Sequence, residues 1–262
     1  MKNNKITFSQ FVFSCFLATL SVLLFIDYNP SLLFFGLIVL ALLIDTAVVF
    51  FYNGNSVILK TASFLFLSFM SVIICIEFCR YMYYDLGYGP FWVLVIIVFG
   101  FTFFSTVKGL EALSRASVII TFFIVFSLIF ISVSSFGNIK FTIKLNEIKS
   151  IIVPLILLFP SAIYILNNDN IIKEKKFSFN VYTLSLFAIL IYYHMLPKDR
   201  ISVGIFKGAD GLLLAVLTVS VIYFISSSAV ACFKHFGHRY ISNALYLSAI
   251  AVVSISSFYL FS

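Results

Sequence analysis

The chain has 262 residues, 62% of them hydrophobic and 10% charged, with a mean hydropathy of +1.13. A soluble globular domain carries roughly 45 to 50% apolar and about 25% charged residues, so a soluble globule is excluded. The net charge of +7 is no nucleic-acid face: the lysines and arginines are scattered between apolar runs and read as loop residues that set topology and meet anionic lipid.

A membrane-crossing helix needs about 20 predominantly apolar residues. Nine segments reach that length to within a few residues, near 8–26, 31–52, 61–79, 90–107, 116–135, 150–168, 179–196, 212–233 and 240–261. Their connections are short. The expectation is an all-α, polytopic membrane protein forming one integral-membrane domain over 1–262.

The first span follows the polar lead MKNNKITFSQ, whose Lys2 and Lys5 favour a cytoplasmic N-terminus, and ends at Asp27, Asn29 and Pro30. It is too long, and lacks the small-residue cleavage site, for a simple signal peptide. The chain's first glycine is Gly36, so the first span has neither glycine nor interior proline to open it. The second span carries Asp45, the only carboxylate well inside an apolar segment. A charge at that depth costs at least about 2.5 kcal/mol, so Asp45 faces the bundle interior. Two roles stay open for it: proton or cation coupling, or a hydrogen bond to a neighbouring helix.

The third span ends in IEFCRYMYYDLGYGP. Glu77 and Arg80 share a helical face there, and the tyrosines make an interfacial belt. The four cysteines, Cys15, Cys75, Cys79 and Cys232, lie in or beside apolar spans and act as small hydrophobes, without the spacing of a disulfide framework or a zinc site. No metal site and no cofactor is expected.

Between the fourth and fifth spans lies a polar island, KGLEALSRASVI at 108–119. Glu111 and Arg115 stand one helical turn apart and can pair, which fits a turn at the membrane surface. The fifth span has serines near its end (Ser127, Ser132, Ser134, Ser135), and the loop 136–149 has alternating character. The sixth span, SIIVPLILLFPSAIYILNN, contains Pro154 and Pro160. Each removes a backbone donor and clashes with the preceding turn, so the helix kinks or breaks. Broken helices at membrane depth are tolerated only against protein or a water-filled cavity, and transporters build midplane ligand sites from them. Pro154, Pro160, Ser161 and Tyr164 are therefore the candidate ligand-binding residues.

Lys173, Lys175 and Lys176 mark a cytoplasmic loop, and the seventh span ends at His194. Lys207 and Asp210 precede the eighth span, whose Ser226, Ser227 and Ser228 allow close helix packing. His235 and His238, beside Lys234 and Arg239, read as inside-facing charge. Lysine and arginine are modestly enriched on the side that also holds the N-terminus, which places that terminus in the cytoplasm.

Gly109, Glu111 and Arg115, followed at once by an apolar span, resemble the G-x-E-x-x-x-R start of the fifth span of spore germination permeases, a branch of the amino acid/polyamine/organocation (APC) transporter superfamily. The KITFSQF lead, the Phe159–Pro160 pair and the Lys207/Asp210 approach to the eighth span resemble the same family. The family's sixth span carries F-P-x-G-E; here Ser161 and Ala162 follow the proline and the acidic residue is absent. The resemblance implies an APC-type inverted-repeat bundle, truncated to about nine helices where the family usually has ten. It implies a membrane subunit of a germinant receptor, in a bacterial cell membrane or spore inner membrane. Its partners would be a soluble-domain subunit, a lipoprotein and a small nutrient such as an amino acid. A small-solute transporter of the superfamily, or a scaffold subunit that binds no ligand, are the alternatives. No H-E-x-x-H, nucleophile-elbow or phosphate-loop pattern is present, so no enzyme activity is expected.

Overall fold

The computed structural model describes residues 6–21, 32–52, 56–85, 87, 89–134, 152–168, 171–172, 209–233 and 239–261. Within them the chain is helical: α1 (Phe8–Thr19), α2 (Leu32–Phe51), α3 (Val57–Arg80), α4 (Phe91–Lys108), α5 (Leu110–Ser134), α6 (Ile152–Ile156), α7 (Phe159–Asn167), α8 (Ala209–Phe233) and α9 (Arg239–Phe261). Among the described residues four stretches are long and apolar enough to cross a membrane: Val57–Tyr84, Phe91–Lys108, Ala215–Cys232 and Ile241–Tyr259. The architecture is that of an all-α membrane-associated protein. The predicted span 179–196, the loop 136–149, and Lys173, Lys175, Lys176, His194, Lys207, His235 and His238 lie outside the described residues.

Helix α8 is the central one. Of its apolar window 78% is buried, against 33% to 44% in the other three long helices. Small residues make this possible: Ser220, Ser226, Ser228, Ala229 and Ala231 are all buried and let neighbouring backbones approach. Around it pack α1, α3, α4, α5, α7 and α9. The outer faces of α4, α5 and α9 expose Phe101, Phe104, Phe122, Phe126, Ile241 and Leu245, as surfaces turned to acyl chains do.

Each helix boundary has a local cause. Thr7 caps α1: its hydroxyl accepts the Gln10 N–H at 3.3 Å, and the Gln10 side chain accepts the Thr7 N–H at 3.1 Å. α1 ends at Thr19 with a tightened turn over Leu20 and Ser21, and 22–26 of the predicted first span lie outside the described residues. α3 starts earlier than the apolar run suggests, because Ser56 caps it by accepting the Leu59 N–H at 3.4 Å. Lys60 therefore sits in its first turn rather than in the connection. At the other end α3 widens into a π-helical turn, Tyr81–Asp85. Here Glu77 and Arg80 pair at 3.6 Å, and the Arg80 guanidinium lies 5.9 Å from the Phe258 ring centre. Phe258 in turn stacks on Phe91 at 3.7 Å and meets Tyr83 and Tyr84 at 6.1 and 6.0 Å, so an aromatic cluster joins the end of α3 to α4 and α9.

Among the described residues one short ladder departs from the helical pattern. Ile6–Thr7 (β1) pairs in parallel with Ile171–Ile172 (β2), in the register Ile6 to Ile171 and Thr7 to Ile172. The ladder ties the lead of α1 to the residues that follow α7.

Candidate functional site at the broken helix

The segment with two prolines is broken. α6 stops at Ile156, Leu157 and Leu158 form a turn, and α7 starts at Phe159. The Leu158 N–H donates to the Leu155 carbonyl at 3.0 Å, closing a tight turn, and the Ala162 N–H returns to the Leu158 carbonyl at 3.2 Å. Pro160 is the second residue of α7, in the first turn, where a missing N–H removes no helical bond. Proline has no hydrogen to give the Ile156 carbonyl four residues back, so the helix stops before it instead of bending through it.

In the first turn of α7 the Ser161 N–H has no acceptor within its own helix. Asp45 of α2 supplies the acceptor. Its Oδ1 takes the Ser161 N–H at 3.0 Å and also accepts the Ser161 hydroxyl. Asp45 is 0% exposed and Ser161 6%. Asp45 Oδ2 has no hydrogen-bond partner. Hydrogen bonds to a charged group contribute about 1.5 to 3 kcal/mol each, and inserting a carboxylate at membrane depth costs about 2.5 to 3.5 kcal/mol. The two Ser161 donors offset part of the cost of burying the carboxyl here, aided by the positive end of the α7 dipole. Of the two roles open for Asp45, the bond to a neighbouring helix is present, and an unused oxygen remains beside it.

The other candidate ligand residues are in the same segment but face different neighbours. Pro154 and Pro160 are buried. Tyr164 is 1% exposed and its ring lies 5.8 Å from that of Phe11 on α1. Phe159 meets Phe224 of α8 at 4.5 Å. Every residue of α7 is buried, with α1, α2, α3 and α8 around it.

The polar island divides in two. Gly109 is the whole connection between α4 and α5, with φ 83° and ψ 175°. That backbone region is essentially open to glycine alone. Glu111 follows in the first turn of α5, where the helix dipole favours a carboxylate. It pairs with Arg115, whose side chain is 69% exposed against 25% for Glu111. The pair is a surface one, and the motif's structural weight falls on its glycine.

The same island also feeds a buried hydroxyl network that the sequence did not announce. The Tyr223 hydroxyl of α8 lies 2.8 Å from Ser14 Oγ of α1 and 3.1 Å from the Leu113 carbonyl of α5, and can donate to either. Ser14 donates to the Gln10 carbonyl at 2.8 Å and lies 3.2 Å from Ser117 Oγ, which donates to the Ser114 carbonyl at 2.8 Å. Three helices are pinned together one turn beyond Gly109. The available signal was the serine content of the island, Ser114 and Ser117, opposite a tyrosine on a serine-rich span.

Comparison with protein-family models, curated proteins and solved structures gives no match. The arrangement at α6 and α7 therefore stands on its own geometry. Cys15, Cys75, Cys79 and Cys232 are free and buried. Among the described residues no group of three or more His, Cys, Asp or Glu side chains is placed to hold a metal ion.

Proposed function

We propose that this chain is the permease-like membrane subunit of a spore germinant receptor, which senses a small nutrient such as an amino acid and passes a conformational signal to a soluble-domain subunit and a lipoprotein. The observation that carries this reading is the interrupted α6/α7 segment with a buried carboxyl held against its second half. An interruption of this kind at membrane depth is how solute-binding membrane proteins expose backbone polar groups to a ligand. The resemblance of Gly109, Glu111, Arg115 and the Phe159–Pro160 pair to germination permeases supplies the biological setting. In that setting α7 carries no acidic residue after Pro160, and the carboxyl at its first turn comes from Asp45 of α2.

The bundle in this reading is an APC-type inverted repeat to which these residues give about nine helices, with a cytoplasmic N-terminus, in a bacterial cell membrane or spore inner membrane. Germination of spores deleted for the gene, tested against a panel of nutrients, decides it. A response lost to one class of nutrient supports the receptor; an unchanged response across the panel removes it. Uptake of radiolabelled amino acids into proteoliposomes tests the transporter of the same superfamily.

One observation favours a second reading. Residues 14–21, the second half of α1 and the turn after it, are all buried, and the helix is regular from Phe8 to Thr19. A first span packed this closely suits a scaffold subunit that binds partners and no solute. Loss of germination towards every nutrient, with partner subunits missing from the membrane, is the result that reading expects.

A further inference from the structure

The Asp45 carboxyl presents two oxygens in unlike surroundings. Oδ1 accepts both Ser161 donors, whereas Oδ2 is buried and touches no donor. The half-helix N-terminus, where an anionic ligand group would otherwise be attracted, is already taken by the protein's own carboxylate. What the site lacks is positive charge or a hydrogen on Oδ2. Asp45 is 0% exposed, and a proton is the occupant that needs no added volume.

We propose that Asp45 is a proton-binding site, and that proton uptake on Oδ2 works the α2–α7 contact as a latch. In the step one O–H bond forms on Oδ2 as one O–H bond of a hydronium ion breaks and leaves water, and nothing is oxidised or reduced. Both Ser161 bonds stay on Oδ1, which changes from a carboxylate oxygen to the carbonyl oxygen of a carboxylic acid. Bonds to an ionised acceptor are roughly twice as strong as bonds to a neutral one, so protonation loosens the hold of α2 on the start of α7. Among α1, α2, α6 and α7 Asp45 is the only carboxylic acid; α3, which also packs on α7, carries Lys60 in its first turn and Glu77 and Arg80 at its end, and α8 carries Asp210 at its start and Tyr223 further along. α6 contributes no titratable side chain, α7 contributes Tyr164, and α1 contributes Cys15, which lies within electrostatic reach of Asp45. On α2 itself Asp45 is the one ionisable residue. The latch operates whether the chain senses a solute, transports one or only binds partners.

The test is infrared spectroscopy of the purified full chain in lipid nanodiscs, titrated from about pH 8 to about pH 5, with the thermal midpoint followed in parallel. In the wild type a carboxylic-acid carbonyl band grows on acidification and the midpoint changes over the same range. In Asp45→Asn, which keeps an acceptor for Ser161 but cannot titrate, both changes vanish. A wild type with no such band, a band that survives Asp45→Asn, or an Asp45→Asn midpoint offset by the same amount at every pH overturns the proposal; the last is what a purely structural role gives. Should Asp45→Asn not fold, Ser161→Ala leaves the carboxyl in place and removes one donor from Oδ1. The band then appears at a displaced pH, and an undisplaced band overturns the latch.

Discussion

Asp45 and Glu111 are both carboxylates with a named partner, and their surroundings give them opposite importance. Replacing Asp45 by alanine strands the Ser161 N–H and hydroxyl in a buried turn, at about 1 to 3 kcal/mol for each group. Asp45→Ala should therefore lower the thermal midpoint in detergent clearly, and Asp45→Asn, which still offers an acceptor, should lower it less. Glu111 pairs with an Arg115 side chain that is 69% exposed, and exposed pairs contribute under about 1 kcal/mol. Glu111→Gln is expected to leave the midpoint close to that of the wild type at moderate salt, as the same melts would check. In the sequence the two residues look equally prominent. An isolated acid in an apolar run points to the interior, so the burial of Asp45 was legible. Its partner was not, because Ser161 lies 116 positions further on and only packing brings the two together.

At the scale of the element, the chain's interruptions matter more than its helices. α2, α4 and α9 fall within a residue or two of the predicted 31–52, 90–107 and 240–261, because long apolar runs bounded by polar clusters leave little choice. The two prolines foretold a break but not its position. It falls at Leu157–Leu158 because Pro160 is tolerated only in a first turn, and because Ser161 finds an acceptor outside its own helix. Gly109 is the sharper case. With φ 83° and ψ 175°, an L side chain there costs roughly 1 to 3 kcal/mol. Gly109→Ala is expected to destabilise by that amount in thermal melts. Gly109→Asn should fare no better, although asparagine usually tolerates positive φ, since this ψ lies far from the left-handed helical value. Rescue by asparagine would mean the turn can relax, and would move the importance of the motif back to its charges. The hydroxyl network of Ser14, Ser117 and Tyr223 escaped the sequence for a different reason. Hydroxyls are common in membrane helices, and most of them bond back to their own turn, as Ser71 and Thr102 do here.

For the whole molecule, composition alone settled the solvent: a chain this apolar belongs in lipid, and the four long apolar helices agree. The two-residue ladder had no sequence signature, since a pair of residues is too short for any periodicity to register. Ile6 is nonetheless 1% exposed and packed in the core. Removing residues 1–7 should lower the thermal midpoint, through loss of the ladder and of the Thr7 cap, while the protein still resists extraction by alkaline carbonate. Release from the membrane by that wash would show that the lead contributes to insertion and not only to packing.

The ladder also orders events in time. Ile6 and Thr7 leave the ribosome 165 residues ahead of Ile171 and Ile172, their partners in the ladder. Until then the opening strand has no mate, and α1 must wait beside the translocation machinery with one end untethered. A nascent chain arrested before residue 171 should accordingly leave its amino-terminal lead open to protease, and one arrested well beyond it should not.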